Sequence, residues 1–277
     1  MGRATMAKIL SFLSWNVEHF SNSQSRVELV VEAIAAKKPD VFALYEVKGK
    51  AVFAAMQEKM PNYNISITES ESVVEILVGV RNSLSSFVTQ RNELQSKTPT
   101  LRPGALATIT KNDEVYSFLF LHLKSFADPR DWGLRDDMLQ HVCSLKRKIE
   151  RSLDGDKKAN FIALGDLNTM GMSAAYNNDL DIDGAKELDY IDNRLTASVN
   201  GMRRLAKSYE ATWWNGKSNW QPSNLDHVLA ADHLKFKKFG TAEVEVSGWV
   251  DEATTAARKN WIAKHSDHCM LYGEVRS

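Results

Sequence analysis

Residues 160–168 read Asn160-Phe161-Ile162-Ala163-Leu164-Gly165-Asp166-Leu167-Asn168. A short apolar run of this kind reads as a buried strand, and here it stops on a carboxylate and an amide. The same arrangement recurs along the chain. Asn16 and Glu18 follow the apolar residues 12–15, Glu46 follows 41–44, and His122 follows 117–121. Asp226 and His227 open the run 228–230, and Asp267 and His268 precede 270–272. Strands that enter one layer can bring such ends together. A converging set of carboxylates, amides and imidazoles suits phosphoryl chemistry. Carboxylates hold a hard cation, amides and imidazoles meet phosphate oxygens, and one base positions a water.

Helical patterns alternate with these strands. Val27, Val30, Val31, Ile34 and Ala35 form one apolar helical face. Lys37-Lys38-Pro39 ends it, because proline disfavours helix at the residue before it. Residues 51–60 read as a second helix. Residues 73–80, 86–90, 105–110 and 115–122 read as strands, and turns such as Lys111-Asn112-Asp113 point to antiparallel hairpins. A long helix follows, with Met138, Val142, Leu145 and Ile149 as its stripe. Asp136 and Asp137 fall in its expected first turn and Lys148 and Arg151 near its end, the order that the helix dipole favours. Mixed hairpins and crossovers predict an α/β sandwich rather than a purely parallel sheet. The interleaving runs to the end, so residues 1–277 are expected to form a single domain. An acidic helical insertion is expected at about 173–205, with Ile182, Ala185, Leu188, Ile191 and Leu195 as its stripe.

A chain of 277 residues can bury a sizeable core, and 43% hydrophobic with 25% charged residues is ordinary for a soluble globular protein. The 35 basic residues balance 35 acidic ones. This argues against a protein that coats nucleic acid non-specifically, but not against a nuclease, whose acidic metal site can offset a basic groove. Two cysteines, Cys143 and Cys269, make no disulfide framework and fit a reducing cytoplasm. Apolar residues start at Ile9 and are broken by Asn16 and Glu18, so no secretion signal is expected. No apolar stretch approaches the ~18 residues of a membrane-spanning helix, so no membrane partner is expected. Met6 offers an alternative start, with residues 1–5 as a leader.

Six segments then acquire a common meaning. They are Ser14-Trp15-Asn16-Val17, Ala43-Leu44-Tyr45-Glu46-Val47, Leu121-His122-Leu123-Lys124-Ser125, Gly165-Asp166-Leu167-Asn168, Leu225-Asp226-His227 and Ser266-Asp267-His268. In this order the set resembles the motifs of the endonuclease/exonuclease/phosphatase superfamily, which includes deoxyribonucleases, abasic-site endonucleases, neutral sphingomyelinases and inositol polyphosphate phosphatases. The resemblance covers nearly the whole chain. It implies a four-layer sandwich, two facing mixed β-sheets flanked by helices, and magnesium-dependent phosphoester hydrolysis with manganese as a possible substitute. It implies Glu46 as the main magnesium ligand, helped by Asn16 and Asp267 directly or through water. Asp166 would orient or deprotonate the attacking water, and Asn168 would hold that water and a phosphate oxygen. His268 would contact the scissile phosphate while Asp226 fixes its tautomer and favours its charged form. His122 would be a second imidazole on the phosphate or leaving oxygen.

Each residue taken alone has an ordinary reading as a strand end, a turn former or a satisfied core histidine. Only the ordered set makes the functional reading the better one. His227 is expected on the opposite face from Asp226, with a structural role. Cys269 is expected to face the core. His19, His141, His233 and His265 match no motif and read as surface or structural. His122 resembles the deoxyribonuclease and sphingomyelinase version of its motif, whereas abasic-site enzymes carry tyrosine there. Ala211-Thr212-Trp213-Trp214 looks like the abasic-site group, yet Asn224 stands where those enzymes carry tryptophan. Trp213, Trp214 and Trp220 are candidates for stacking on bases, with Trp214 taken as the substrate contact. Arg102 and Lys124 are candidate phosphate contacts, and Arg81 is a further one. Asp179-Leu180-Asp181-Ile182-Asp183-Gly184 opens like a calcium-binding loop, but Tyr190 stands where the closing glutamate belongs. The expected activity is a nuclease on DNA, with nucleic acid as the partner. A phosphomonoesterase, or a phosphodiesterase of small molecules or lipid headgroups, is the alternative. An inactive scaffold comes third, disfavoured by the intact residue set.

Overall fold

The computed structural model describes residues 7–20, 23–48, 51–72, 74–217, 219 and 221–277. The candidate base-stacking residue Trp220 and the proposed leader at 1–5 lie outside them. The first half-chain runs β1 (Lys8–Phe20), α1 (Gln24–Lys37), β2 (Val41–Val47), α2 (Ala51–Lys59), β3 (Tyr63–Ile67) and β4 (Glu75–Arg81). Next come β5 (Ser85–Arg91), β6 (Gly104–Lys111), β7 (Glu114–His122), α3 (Pro129–Arg151), β8 (Asn160–Asp166), α4 (Gly184–Thr196), β9 (Met202–Arg204) and β10 (Asp226–Ala231). The chain ends with β11 (Lys235–Phe236), β12 (Glu245–Ser247), α5 (Thr255–Lys264) and β13 (Met270–Arg276).

The strands form two mixed sheets. One has the order β11-β13-β1-β2-β4-β3, with β12 also on β13, and the other has the order β5-β6-β7-β8-β10-β9. Each sheet is built around one parallel pair, β1 with β2 and β7 with β8, and every other pairing is antiparallel. The parallel pairs need crossovers, which α1 and α3 provide.

Period-two alternation sorts each strand between two cores. Leu10, Phe12, Val41, Ala43 and Val78 meet Phe118, Phe120, Ile162, Leu164 and Val228 between the sheets. The opposite faces pack on helices. Leu13, Trp15, Phe42 and Leu44 meet Val27, Val31, Ile34 and Met56. Leu119, Leu121, Phe161 and Ala163 meet Met138, Val142, Leu188 and Ile191. Each such buried large side chain contributes roughly 1.5–3 kcal/mol of hydrophobic transfer energy. The result is the expected helix–sheet–sheet–helix layering.

Boundaries differ where local signals are weak. Helix α3 starts two turns earlier than its apolar stripe suggests. Asp128 caps it by accepting from Asp131 N–H at 3.0 Å, and Pro129 fills its first turn, so Asp136 and Asp137 are mid-helix. The expected insertion contains one α-helix, α4, capped by Asp183, and a short 3-10 turn at Asn178–Leu180, whereas Ile182 pairs with Met172 outside both. Cys143 and Cys269 are both buried and free. Among the described residues no helix is long and apolar enough to cross a membrane.

Candidate active site

The topology brings the six motif segments to one rim. The two parallel pairs deliver the carboxyl ends of β1, β2, β7 and β8. Strands β13 and β10 run antiparallel to β1 and β8, so they arrive with their amino ends. Asp226 lies directly across from Asp166 in the ladder, and His122 pairs with Asp166 on the other side. Asn16 extends the inward row Leu10-Phe12-Ser14, His122 extends Phe118-Phe120, and Asp166 extends Ile162-Leu164. The site is therefore the polar end of the inter-sheet core.

Glu46 does not follow this alternation. Phe42 and Leu44 face the helices, and Glu46 shares their parity. Its φ of 63° and a register break after Leu44 turn its carboxylate into the site instead. There Oε1 accepts from Asn16 Nδ2 at 3.2 Å and Oε2 from His19 N–H at 3.0 Å. A left-handed non-glycine residue costs about 1–2 kcal/mol. Five of the ten described residues of this type, Glu18, His19, Glu46, Phe126 and Asn168, line the same cleft. Strain is concentrated at the site. Gly165 is fixed sterically: with φ of 148°, a Cβ there would lie 1.9 Å from the Leu121 carbonyl oxygen.

The cleft encloses about 430 Å³. On its floor His268 Nδ1 bonds Asp226 Oδ2 at 2.8 Å, and His268 Nε2 stands 3.8 Å from Asp166 Oδ2. Asp166 Oδ2 accepts from Asn16 Nδ2 at 2.9 Å, and its Oδ1 from Asn168 N–H at 3.0 Å. Asn168 is anchored in turn, donating from Nδ2 to the Leu123 carbonyl at 3.1 Å. Burial pushes the Asp166 carboxyl up to about 7, with the charges of Asp226 and Glu46 acting the same way and His268 against them. Burial opposes charging His268, but Asp226 and Asp166 outweigh it and raise the imidazole to about 10. It is a cation at neutral pH. His122 is the opposite case. Burial, then the charges of Arg102 and His268, hold it well below its ordinary value, so it is neutral. Its Nε2 lies 3.6 Å from Asp166 and 3.7 Å from Glu46.

Glu46 and Asp267 are two carboxylates of the cleft that could hold a cation. Burial works against the Glu46 charge, but the Asn16 amide and the His19 backbone N–H hold its pKa below the usual glutamate value. Burial raises Asp267, and the Glu46 charge adds to this. Trp213 Nε1 donates to Asp267 Oδ2 at 2.7 Å, while Oδ1 is buried with no hydrogen-bond partner. A buried carboxylate oxygen without a donor, in the same cleft as a second carboxylate, fits a hard cation. Asn16 presents its Nδ2 to Glu46 and Asp166, and its oxygen accepts from Glu18 N–H at 3.0 Å. Asn16 thus bridges the two carboxylates through its amide nitrogen. Asp166, Asp226 and His268 also bring ligand-type atoms within 4.8 Å of one another. Asp226 already binds Nδ1 of His268, so this trio also reads as an ion-paired relay, whereas Glu46 and Asp267 are a second pair that could hold a cation.

The structure separates the remaining candidates. Arg102 borders the cleft, with its guanidinium anchored on the carbonyls of His122 and Leu123 at 3.2 and 2.9 Å. Lys124 is turned aside, its ammonium on Asp131 at 3.1 Å and on the Ser125 carbonyl at 2.9 Å. Trp214 is corrected: it is only 8% exposed and packs in the inter-sheet core against Trp249. Neighbouring residues of an extended segment face opposite ways, so Trp213 lines the cleft instead. Arg81 binds Asp40 at the far end of the sheet. In the calcium-like loop, Asp183 caps α4 and Asp181 accepts from Ala174 N–H, which leaves both engaged in local structure. His227 faces away from the cleft, bonding Thr169 and the Asn224 carbonyl.

Sequence reasoning missed His19, whose Nδ1 is 3.1 Å from Glu46 Oε2. It also missed Arg135, fully buried with its Nε 2.7 Å from Glu187 Oε1. Arg135 donates to the carbonyls of Phe126 at 2.6 Å and Gly171 at 2.7 Å, tying the loops after β7 and β8 together. A signal existed. Arg135 extends the Met138–Val142 stripe by one turn, and Glu187 shares the stripe of Ile191 and Leu195.

Residues 13–268 match the profile of the Endonuclease/Exonuclease/phosphatase family. A comparison with curated proteins finds no match. Among solved structures, truncated Caenorhabditis elegans TDP2 superposes with a TM-score of 0.67 at 15% identity, covering 97% of this chain and 98% of that one. Danio rerio TDP2 complexed with single strand DNA product gives 0.66 at 16% identity, covering 97% and 99%. The Bacteroides thetaiotaomicron mannosyl-6-phosphatase gives 0.62 at 13% identity, covering 96% and 99%. At these identities the likeness is one of fold. The chain belongs to the Endonuclease/Exonuclease/phosphatase family and is a phosphoesterase of that fold.

Proposed function

We propose that this family member is a magnesium-dependent phosphodiesterase that cleaves DNA. The observation that carries the reading is the opposed pair on the cleft floor: a charged His268 with its Nε2 3.8 Å from a buried Asp166. A carboxyl near neutrality is suited to accept the proton of the attacking water, and a nearby imidazolium to bind the phosphate. Asp166 would take that proton, and Asn168 would hold the water in line. His268 would donate from Nε2 to a phosphate oxygen, while Asp226 keeps the ring charged. Neutral His122 would donate to the phosphate or the leaving oxygen. Glu46 and Asp267 would hold the cation, which when bound neutralises charge on the phosphate oxygens. Manganese would be expected to substitute.

Two features favour a strand of nucleic acid. The polar floor continues into a wall with Phe126, Met170 and Trp213, which suits bases as well as phosphate. The Danio rerio neighbour with the same fold was solved with single strand DNA product. A second reading, a phosphomonoesterase, is favoured by one observation. Arg102 is the single lysine or arginine among the described residues lining the cleft. That suits a substrate with few phosphates, and one neighbour is a mannosyl-6-phosphatase.

The test is cleavage of plasmid and of labelled single- and double-stranded oligonucleotides, with magnesium, manganese or chelator. Asp166→Asn and His268→Ala serve as controls. Metal-dependent cleavage lost in both variants supports the reading. Inertness on every nucleic acid, with phosphate release from a sugar phosphate, would replace it by the second.

A further inference from the structure

Phe126 lies in the loop that leaves β7, at the cleft wall. It is 65% exposed, against the tendency of phenylalanine to be buried. Its φ of 77° is one that a bulky side chain adopts only at a cost. Both features are fixed by the fold. The buried Arg135 guanidinium holds the Phe126 carbonyl at 2.6 Å and the Gly171 carbonyl at 2.7 Å, and is itself held by Glu187. The Phe126 N–H meets Met170 Sδ at 3.2 Å, which closes the second link between the two loops. Lys124 Nζ stands 4.8 Å from the ring centroid, with its ammonium tied to Asp131. The backbone that carries this exposed apolar ring is thus held in place, and the residue lines the cleft together with Asn168 and Asp166. A ring on a fixed backbone has less freedom to lose on binding, which is what a recognition surface requires.

We infer that Phe126 is a stacking subsite that receives the nucleobase of the nucleotide adjoining the scissile phosphate. It lies in the loop after β7, in the lining of the same cleft as Glu46 and Asp267. The inference rests on the nucleic-acid reading above. Met170, 37% exposed, flanks the same position and supplies apolar contact to the sugar or base edge. Lys124 reinforces the ring by a cation–π contact while remaining outside the cleft.

The experiment compares wild type with Phe126→Ala, Phe126→Gly and Phe126→Trp. The substrate is a single-stranded oligonucleotide, intact or with an abasic nucleotide on either side of the cleavage point, with KM and kcat measured separately. Phe126→Ala and Phe126→Gly should raise KM for the intact strand about tenfold, the scale of one lost base–aromatic stack. Neither should change cleavage of the strand that is abasic at the stacked position, and Phe126→Trp should restore KM. A strand carrying 2-aminopurine there, bound in chelator, should be quenched by wild type and not by Phe126→Gly. Glycine relieves the backbone strain, so the melting temperature of Phe126→Gly should hold or rise. An active wild type whose intact-to-abasic ratio is unchanged in Phe126→Ala overturns the subsite while leaving the nucleic-acid reading intact. A Phe126→Gly protein that melts lower with unchanged KM assigns the residue to structure and also overturns it. A wild type that neither cleaves nor binds nucleic acid removes both readings together.

Discussion

Replacing Asp226 by asparagine keeps the shape of the cleft floor and removes one charge. In the wild type, His268 with a pKa of about 10 is almost fully protonated at pH 8. Burial lowers that value, while the charge and 2.8 Å hydrogen bond of Asp226, together with the charges of Asp166 and Asp267, raise it. Without the Asp226 charge and hydrogen bond, the largest raising contribution is gone, and burial working against Asp166 and Asp267 should bring the imidazole down towards its ordinary value of about 6.5. At that ordinary value the charged fraction is about 3% at pH 8 and about 0.3% at pH 9. If the cation is the working form, kcat/KM should drop by up to about 30-fold at pH 8 and up to about 300-fold at pH 9. The comparison belongs above pH 7.5, where Asp166, at about 7 in the wild type, is mostly ionised. The assay is the initial rate of oligonucleotide cleavage across that range, beside the His268 imidazole resonances followed by NMR. A defect of constant size from pH 7.5 to 9, or a His268 resonance that titrates alike in both proteins, would refute the reasoning.

Glu46→Ala should abolish magnesium-dependent stabilisation. Wild type at a magnesium concentration a hundredfold above its dissociation constant should gain about 2.7 kcal/mol, read as a rise in melting temperature that the variant lacks. Gly165→Ala should be poorly folded or lose at least ~3 kcal/mol in urea denaturation, because its Cβ would overlap the Leu121 carbonyl oxygen at 1.9 Å. A variant as stable as wild type would mean that the two strands part there without cost. His227 is buried, and burial followed by the Lys207 charge holds it well below its ordinary value. The unfolded chain then binds a proton that the native one does not, so stability is full above about pH 6.5 and falls by up to about 1.4 kcal/mol per unit below it. His227→Gln should flatten that decline between pH 6.5 and 5, measured by the urea midpoint. An unchanged slope would show that another group carries it.

Much of the fold was legible because it rests on local rules. The period-two rows that end in Asn16, His122 and Asp166 are written in consecutive residues, and so is the stripe of α1. The short strands β9, β11 and β12 and the helix α5 were not legible. They are held by pairing with β10 and β13 or by packing on the turn at Trp249, and they have little pattern of their own. The start of α3 was misplaced because its first two turns carry Trp132 and the buried Arg135, which lies in line with the apolar stripe but is not itself apolar.

The site divides along the same line. The sequence by itself determined which residue types stand at which strand ends, since that follows from chain order and pleat. Only the tertiary structure decided what those residues are. Glu46 reaches the cleft through a left-handed backbone that alternation does not predict. Trp213 lines the cleft and Trp214 the core, a choice made by which side of the segment the second sheet covers. His122 is neutral and His268 charged, although both are buried imidazoles beside Asp166. Asp226, 42 residues away in sequence, makes the difference. Charge state depends on burial and on partners brought together by folding, and both are properties of the packed sheets.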